Sequence, residues 1–319
     1  MKQLTLIDAN SLIHRAYHAL PPLTAGDGEP VQALYGISMI LMRLREEGSL
    51  EYAAALFDRP EPTFREEKYK EYKATRPPAP EPLVSQIISA HELFKTFGIP
   101  VFEKAGFEAD DGIATLAEKF KKEPDVRVTI LTGDMDTLQL VEDPRVRVRA
   151  LRTGVTDTVI YDEAGVKQRL GVTPELVTSY KALVGDSSDN IKGVTGIGPK
   201  TAAELINSYG SLENIYKNIE KISGKTKQKL ITGEKQAELS KELVILERNV
   251  PLQTGGIEDL WVGFEKQKIA DCFERYGFKR LLARLNGETP EKTKAKTGKP
   301  AKNQQEKGKK PDSRQAAMF

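Results

Sequence analysis

Leu4-Thr5-Leu6-Ile7-Asp8 is a short apolar run that stops at a carboxylate, and its reading decides the fold. The pattern recurs: Ala53 to Phe57 ends at Asp58, and Val128 to Leu131 is followed shortly by Asp134. Strand-like runs that alternate with helical periodicity are the signature of a mostly parallel sheet. In such a sheet the carboxyl ends of the strands open onto the ligand crevice, so acids placed there converge. Nine carboxylates sit where apolar segments end: Asp8, Asp58, Glu108, Asp110, Asp111, Asp134, Asp136, Asp186 and Asp189. So many anions in one crevice raise one another's pKa or require cations, and hard oxygen donors of this kind suit Mg²⁺ or Mn²⁺.

Working outward, the alternation continues from Met1 to about Tyr161, with helical runs at Ala33 to Leu44 and Leu83 to Phe97. The expected fold is α/β, a mostly parallel central sheet flanked by helices over residues 1–161. After Asp110, the residues Ile113, Leu116, Ala117 and Phe120 follow helical spacing, so Glu108-Ala-Asp-Asp111 opens a helix with its carboxylates facing the crevice. From Asp162 to about 288 strand signals fade and short helices take over, a smaller all-helical domain. Thr173-Pro174 opens one of these helices, which points Asp186 and Asp189 onward; at i, i+3 they share a side if the turn continues helically.

The periodic pattern breaks at residues 59–82, where six basic residues and two tyrosines crowd residues 59–76 and are followed by Pro77-Pro-Ala-Pro-Glu-Pro82. That segment reads as a lid or arch that forms no core element. Residues 289–319 carry eight Lys and one Arg against Glu291, Glu306 and Asp312, a charge of +6 that leaves −4 on the rest of a chain whose total is +2. With almost no apolar residue, the tail is expected to be disordered. An acidic body is odd for a nucleic-acid binder unless bound cations reverse the local sign.

At 319 residues and 39% apolar content the chain is long enough for two domains, each with its own core. No apolar stretch approaches the roughly 20 residues of a membrane span and no signal-peptide pattern opens the chain, so a cytoplasmic protein is expected. The single cysteine, Cys272, excludes a disulfide and a thiolate zinc site.

Ile191-Lys-Gly-Val-Thr-Gly-Ile-Gly-Pro-Lys-Thr-Ala202 is the strongest local motif. Gly193, Gly196 and Gly198 permit a tight hairpin, Pro199 presets a helix, and the free N–H groups of that helix can receive a phosphate with Lys200 and Thr201 beside it. This is a helix-hairpin-helix pattern for gripping a DNA backbone without reading bases. A Walker A loop is rejected because Pro199 intervenes before Lys200-Thr201 and has no N–H to give.

Six segments, in order and spacing, resemble the 5′-nuclease superfamily, the N-terminal nuclease domain of bacterial DNA polymerase I and the flap endonucleases. They are Leu6-Ile-Asp-Ala-Asn-Ser-Leu12 with Arg15-Ala-Tyr-His18; Phe57-Asp58 with Pro62-Thr-Phe-Arg65; Tyr72-Lys-Ala-Thr-Arg76; Gly106-Phe-Glu-Ala-Asp-Asp111; Thr132-Gly-Asp-Met-Asp136; and Gly185-Asp-Ser-Ser-Asp-Asn190 running into Gly193 to Thr201. The likeness spans about residues 2 to 286. It departs at Ala9, where many relatives have Gly, and at Lys192, where relatives often have Pro.

The resemblance implies a PIN/resolvase-like sheet domain and a helix-three-turn-helix (H3TH) domain. It implies that Asp8, Asp58, Glu108, Asp110 and Asp111 attend a first divalent ion, and Asp134, Asp136, Asp186 and Asp189 a second, some through water. Lys73 and Arg76 match arch cations that contact the scissile phosphate, Tyr72 is placed to stack on an unpaired base, and Arg15 to contact DNA. Gly193, Gly196, Gly198, Lys200 and Thr201 would hold duplex, with K⁺ on backbone carbonyls of the hairpin. His14, His18 and His91 read as structural or surface groups. The implied activity is Mg²⁺- or Mn²⁺-dependent 5′-3′ exonuclease and 5′-flap endonuclease action by a two-metal mechanism. It would serve RNA primer removal, lagging-strand maturation and DNA repair on DNA with 5′ flaps, nicks or RNA–DNA junctions, in a bacterial cytoplasm at the nucleoid.

Gln315-Ala-Ala-Met-Phe319 resembles the peptide by which bacterial replication proteins dock on the sliding clamp, with Gln315, Met318 and Phe319 as its anchors. A free-standing monomeric nuclease is expected, or else a natural counterpart of one half of a larger enzyme, since the sequence runs only about thirty residues past Asn286. Two other readings are a non-catalytic structure-specific DNA-binding protein of the same fold and a PIN-like ribonuclease. The glycine hairpin and arch argue against the second.

Overall fold

A computed structural model describes residues 1–288. Six strands form one sheet: β1 (Lys2–Asp8), β2 (Tyr52–Phe57), β3 (Val101–Glu103), β4 (Val126–Thr132), β5 (Val146–Leu151) and β6 (Thr158–Tyr161). They lie in the order β3-β2-β1-β4-β5-β6, all pairs parallel except the antiparallel β5–β6 edge. The chain builds outward from β1 to β3 and then crosses to β4 on the other side of β1. That reversal puts the topological switch point between β1 and β4, where Asp8 ends one strand and Thr132 the other.

The helices are α1 (Ala9–Ala19), α2 (Gln32–Glu46), α3 (Phe64–Lys68), α4 (Glu81–Thr96), α5 (Ala109–Phe120), α6 (Glu163–Leu170), α7 (Val177–Val184), α8 (Pro199–Tyr209), α9 (Leu212–Lys217), α10 (Gly224–Val244), α11 (Lys266–Arg275) and α12 (Lys279–Leu285). A two-stranded ribbon, β7 (Gly185–Asp186) with β8 (Ile191–Lys192), joins α7 to the glycine hairpin. Among the described residues no helix is long and apolar enough to cross a membrane.

The two cores are the two faces of the sheet, one core on each face. Along β1 and β2, Leu4, Leu6, Ala54 and Leu56 belong to a cluster with α5 and with Val177, Leu183, Ile206 and Leu230 of the helical region. Their alternates Ile7, Ala53, Ala55 and Phe57 face the opposite way, into a cluster with α1, α2, α4, α11 and α12. Period-two alternation between two covered faces makes both sides of each strand apolar, and β2 is buried along its whole length.

The unit expected over 162–288 therefore divides. Its first part, through α10, packs on one face of the sheet, while Ile269, Phe273, Phe278 and Leu281 return to the other face beside Leu93 and Phe97. The crossing is pinned by a hydrogen bond from Val262 N–H to Glu51 O, 2.9 Å.

Residues 59–82 are also more than a solvated lid. They contain α3 and two buried anchors, Arg65 at 1% exposure and Tyr72 at 4%, and α4 begins at Glu81. Arg65 can be buried because every polar need is met: it grips Asp111 through two 2.7 Å contacts and donates to Leu243 O and Ile245 O at 2.8 Å. Gln139 donates to Val244 O at 2.9 Å. Together they satisfy the carbonyls that the C-terminus of α10 leaves free.

Candidate active site

Strand ends and helix starts place five carboxylates around one cavity of about 270 Å³: Glu108, which is paired with a lysine, and a group of four, Asp8, Asp58, Asp110 and Asp134. Asp8 ends β1 and caps α1, accepting from Ser11 N–H at 3.0 Å and from the Thr132 hydroxyl at 2.6 Å. Asp58 ends β2 and accepts from Ala109 N–H at 2.8 Å, which ties it to the first turn of α5. Asp134 follows β4; its N–H donates to Thr132 Oγ1 at 2.9 Å and its carboxylate accepts from Asp136 N–H at 3.0 Å. Asp110, in the first turn of α5, has a buried Oδ1 with no hydrogen-bond partner.

Among the described residues none of these four has a cationic side chain within 4.0 Å, although such pairs surround them. The electrostatic cost is visible. Burial pushes Asp8 up to about 7, against the Thr132 hydroxyl, with Asp58 and Asp134 adding to the rise. Burial pushes Asp110 well above the usual carboxylate range, and Asp8, Asp134, Asp136 and Asp58 push it further.

A divalent cation fits this donor set. The acids offer hard oxygens, one of them orphaned, and carry negative charge without an internal counterion. Among the described residues no three acid, His or Cys side chains close into a tight cage. An open, acid-lined cavity suits an ion that keeps part of its water shell, as Mg²⁺ does.

The remaining acids are already paired. Glu108 takes the Lys73 ammonium, Arg65 at 3.2 Å and the Tyr72 hydroxyl at 2.9 Å. Asp189 takes the Arg76 guanidinium and the same Tyr72 hydroxyl at 2.9 Å, with Lys73 Nζ 4.0 Å away. Lys73 itself has φ +53°, held by its N–H donating to Asp189 O at 2.9 Å. Asp136 and Asp186 share the Lys181 ammonium, 2.7 Å from Asp186. Lys73, Arg76 and Glu108 line the four-acid cavity; Asp136, Asp186 and Asp189 lie beside it rather than on its wall.

Several sequence expectations change. Asp111 does not face the crevice: one residue along α5 turns it about 100° from Asp110, where it is fully buried against Arg65 and also accepts from Glu247 N–H at 2.8 Å. Asp186 and Asp189 do not share a helical face, because α7 ends at Val184 and the two acids lie on the ribbon hairpin with different partners. Tyr72 is not free to stack on a base. Its ring is buried with Ile191, Leu243 and Val244, and its hydroxyl bridges two carboxylates. Arg15 donates to the carbonyls of Arg152 and Gly154, the latter at 3.2 Å.

His14, expected to be structural or surface, lines the cavity with Asn10 and Ser11 on α1. Burial holds its pKa below the ordinary imidazole value, with His18 and Arg76 adding to the depression and Asp58 opposing it. His91 is structural as expected, stacked on Phe57 at 3.8 Å. Sequence reading missed Lys181 as well. Its signal was a lone cation in the otherwise apolar run Tyr180-Lys-Ala-Leu-Val184, five residues before Asp186.

The glycine hairpin forms a second surface. Gly193 approaches α7 so closely that a Cβ there would sit 2.4 Å from Leu183 O, and Gly196 has φ +81°. Gly198 caps α8, whose first turn carries exposed Lys200 and half-buried Thr201. A groove of about 650 Å³ adjoins it, lined by Lys192, Lys225 and Lys229 with Thr195, Gln228 and Gln236. The groove thus carries three lysine ammonium groups and two glutamine amides. Gln315, Met318 and Phe319 lie outside the described residues.

Comparison with known proteins gives three findings. The family model for the 5′-3′ exonuclease N-terminal resolvase-like domain matches residues 3–171, and that for the 5′-3′ exonuclease C-terminal SAM fold matches residues 172–268. Among curated relatives, DNA polymerase I of Caldicellulosiruptor bescii is 40% identical over 286 residues, 89% of this chain and 33% of that protein. The 5′-3′ exonuclease of Aquifex aeolicus is 42% identical over 221 residues, 69% of this chain and 74% of that one. The chain spans about a third of the length of the polymerases it matches. Among solved structures, T5 5′-exonuclease with bound zinc superposes with a TM-score of 0.63 at 23% identity, covering 90% of this chain and 97% of that one. The catalytic core of Rad2 with a DNA substrate gives 0.60 at 18% identity, covering 89% and 92%. At those identities the structural likeness shows the fold.

Proposed function

The chain belongs to the 5′-3′ exonuclease family, and on that footing we propose that it is a divalent-metal-dependent nuclease acting on DNA at 5′ ends and 5′ flaps. One observation carries the reading: four carboxylates without a cation partner, one with an orphaned oxygen, line a cavity that Lys73 and Arg76 also line. Asp8, Asp58, Asp110 and Asp134 would hold one ion, with Glu108 at its edge. Asp136, Asp186 and Asp189 would serve a second, partly through water. Bound there, Mg²⁺ or Mn²⁺ would acidify a water and stabilise the leaving oxygen of a phosphodiester. Attack on phosphorus in line with the 3′ oxygen breaks the P–O3′ bond and leaves a 5′ phosphate and a 3′ hydroxyl.

The protein's own groups supply position and charge. Lys73 and Arg76 point into the cavity from residues 59–82 and would meet the phosphate oxygens as charge builds on them. Their present partners, Glu108 and Asp189, are acids assigned to the ions, so the arch cations become free for substrate when the acids are engaged. The hairpin at Gly193 to Thr201 would hold adjacent duplex through phosphates, without base reading, with K⁺ on its carbonyls. Lys229 already donates to one of these, Gly196 O, at 2.7 Å.

The same reading places the protein in the cytoplasm at the nucleoid, as a monomer in primer removal, lagging-strand maturation and repair, with a sliding clamp docking at Gln315, Met318 and Phe319. A 5′-labelled flap duplex incubated with and without Mg²⁺ tests the activity. Metal-dependent product is expected; tight binding without product would establish the non-catalytic alternative. Deleting residues 315–319 and measuring clamp affinity tests the docking peptide, and unchanged affinity would remove it.

A further inference from the structure

The Asp136–Asp186 pair differs from the four bare acids in a way that the hydrolytic chemistry does not require: it has a cation of its own. Lys181, on the last turn of α7, donates to Asp136 and, at 2.7 Å, to Asp186 Oδ2, and all three side chains are 13% exposed. The other oxygen of Asp186 is fixed separately, by Ser188 N–H at 2.9 Å and the Ser188 hydroxyl. The Asp186 carboxylate is thus oriented from one side by its own turn and paired from the other with Lys181, which it shares with Asp136. The neighbours of Lys181 on α7, Tyr180, Ala182 and Leu183, are buried, which commits the lysine stem to this direction.

Asp136 comes from the loop after β4, Lys181 from α7 and Asp186 from β7, so the ammonium also ties the helical region to the sheet. An ammonium and a divalent ion cannot occupy bonding distance of the same two oxygens, because they would repel at close range in a partly buried site. Resting on the cation-dependent reading above, we propose that Lys181 is a resident counterion of Asp136 and Asp186, a positioning residue that a divalent ion must displace to reach them. Ion loading is then sequential, tight at Asp8, Asp58, Asp110 and Asp134 and weak at the lysine-held pair. Lys181 holds the second pair in register while no ion is present.

Mn²⁺ binding to the DNA-free protein, followed by calorimetry and by the paramagnetic signal of free Mn²⁺, tests this. The native protein is expected to show a tight and a weak step. Lys181→Met should strengthen the weak step by about tenfold or more, since one local positive charge is removed, while moving the tight step by no more than about twofold. Lys181→Arg should restore the weak step. The methionine variant should also be less stable without metal and recover more stability than the native protein when Mn²⁺ is added; equal loss with and without Mn²⁺, together with an unchanged weak step, overturns the proposal. If that variant does not fold, native protein labelled at lysine Cε serves instead. One resonance, absent from Lys181→Arg, should shift with the weaker Mg²⁺ step only, and failure to shift overturns the proposal. A native protein that binds no Mn²⁺ at all would remove the cation reading itself, a result distinct from an unaltered weak step.

Discussion

The four bare acids and the paired acids carry the same functional group in neighbouring places, and burial raises members of both, Asp8 and Asp110 in one and Asp136 and Glu108 in the other; what separates them is whether a cationic side chain lies alongside. Asp8, Asp58, Asp110 and Asp134 come from β1, β2, α5 and the end of β4, all parts of the sheet domain, and repel one another without relief. Glu108, Asp189, Asp136 and Asp186 each lie against a cation from outside the sheet: Lys73 and Arg76 from residues 59–82, and Lys181 from α7, which the last two share. The first group has no cationic side chain alongside it among the described residues. The second uses charge to hold the arch and helical region against the sheet.

That contrast breaks most sharply at the bare group. Asp134→Ala should cut cleavage of a 5′ flap by about 10³-fold, because a cation site is lost, while duplex binding measured in Ca²⁺ stays within a few-fold. Near-native cleavage would mean that the cavity is not where phosphodiesters are broken.

Arg65→Met probes the holding role. It would leave Asp111 charged, buried and unpaired, an arrangement that costs about 3–5 kcal/mol, and it would free the carbonyls of Leu243 and Ile245. Denaturant unfolding should show that loss with and without Mg²⁺ alike. If Mg²⁺ repaired it, Asp111 would belong with the bare group after all.

Lys73→Ala sits between the two roles. Cleavage should slow by about 10²-fold, the scale of one lost electrostatic donor, with duplex affinity nearly unchanged. An affinity loss as large as the rate loss would make Lys73 a binding group only.

The smallest expected effect is a pH dependence of the metal-free protein. Asp8 rises from 3.8 to about 7 on folding, so the folded state holds a proton that the unfolded state releases. Its contribution is intact below the unfolded pKa and is lost as pH climbs from near 4 to near 7. Stability should fall over that window, and Mg²⁺ should abolish the fall. A flat profile would mean that the acids are relieved by something other than protons or ions.

Much of this was legible in the chain. Runs that stop at Asp8, Asp58 and before Asp134 give strand ends directly, and strand ends in a parallel sheet give the crevice. Five of the nine acids, Asp8, Asp58, Glu108, Asp110 and Asp134, line one cavity, but adjacency in sequence did not separate Asp110 from Asp111. Which of two neighbouring side chains faces a cavity depends on the helix's rotation, and that is set by packing of Ile113, Leu116 and Phe120 against the sheet. Residues 59–82, which hold the buried Tyr72 and Arg65, read as forming no core element because a run of charges bounded by prolines shows no apolar periodicity. Whether such a run is buried depends on partners, here Asp111, Glu108 and the end of α10, that lie tens to hundreds of residues away. His14 sits on α1 beside Asp8, but no sequence rule distinguishes a cavity-lining histidine from a surface one.

The return of α11 and α12 to the far side of the sheet has a practical corollary for dissection. Scissors applied where the composition turns helical, or anywhere between residues 162 and 265, would strip Phe273 and Phe278 from Phe97 and Tyr35 and leave an oily wall open to water. The smallest autonomous piece is a closed circuit, with the last helices acting as a latch on the first, and fragments made along the apparent domain seam should aggregate rather than fold.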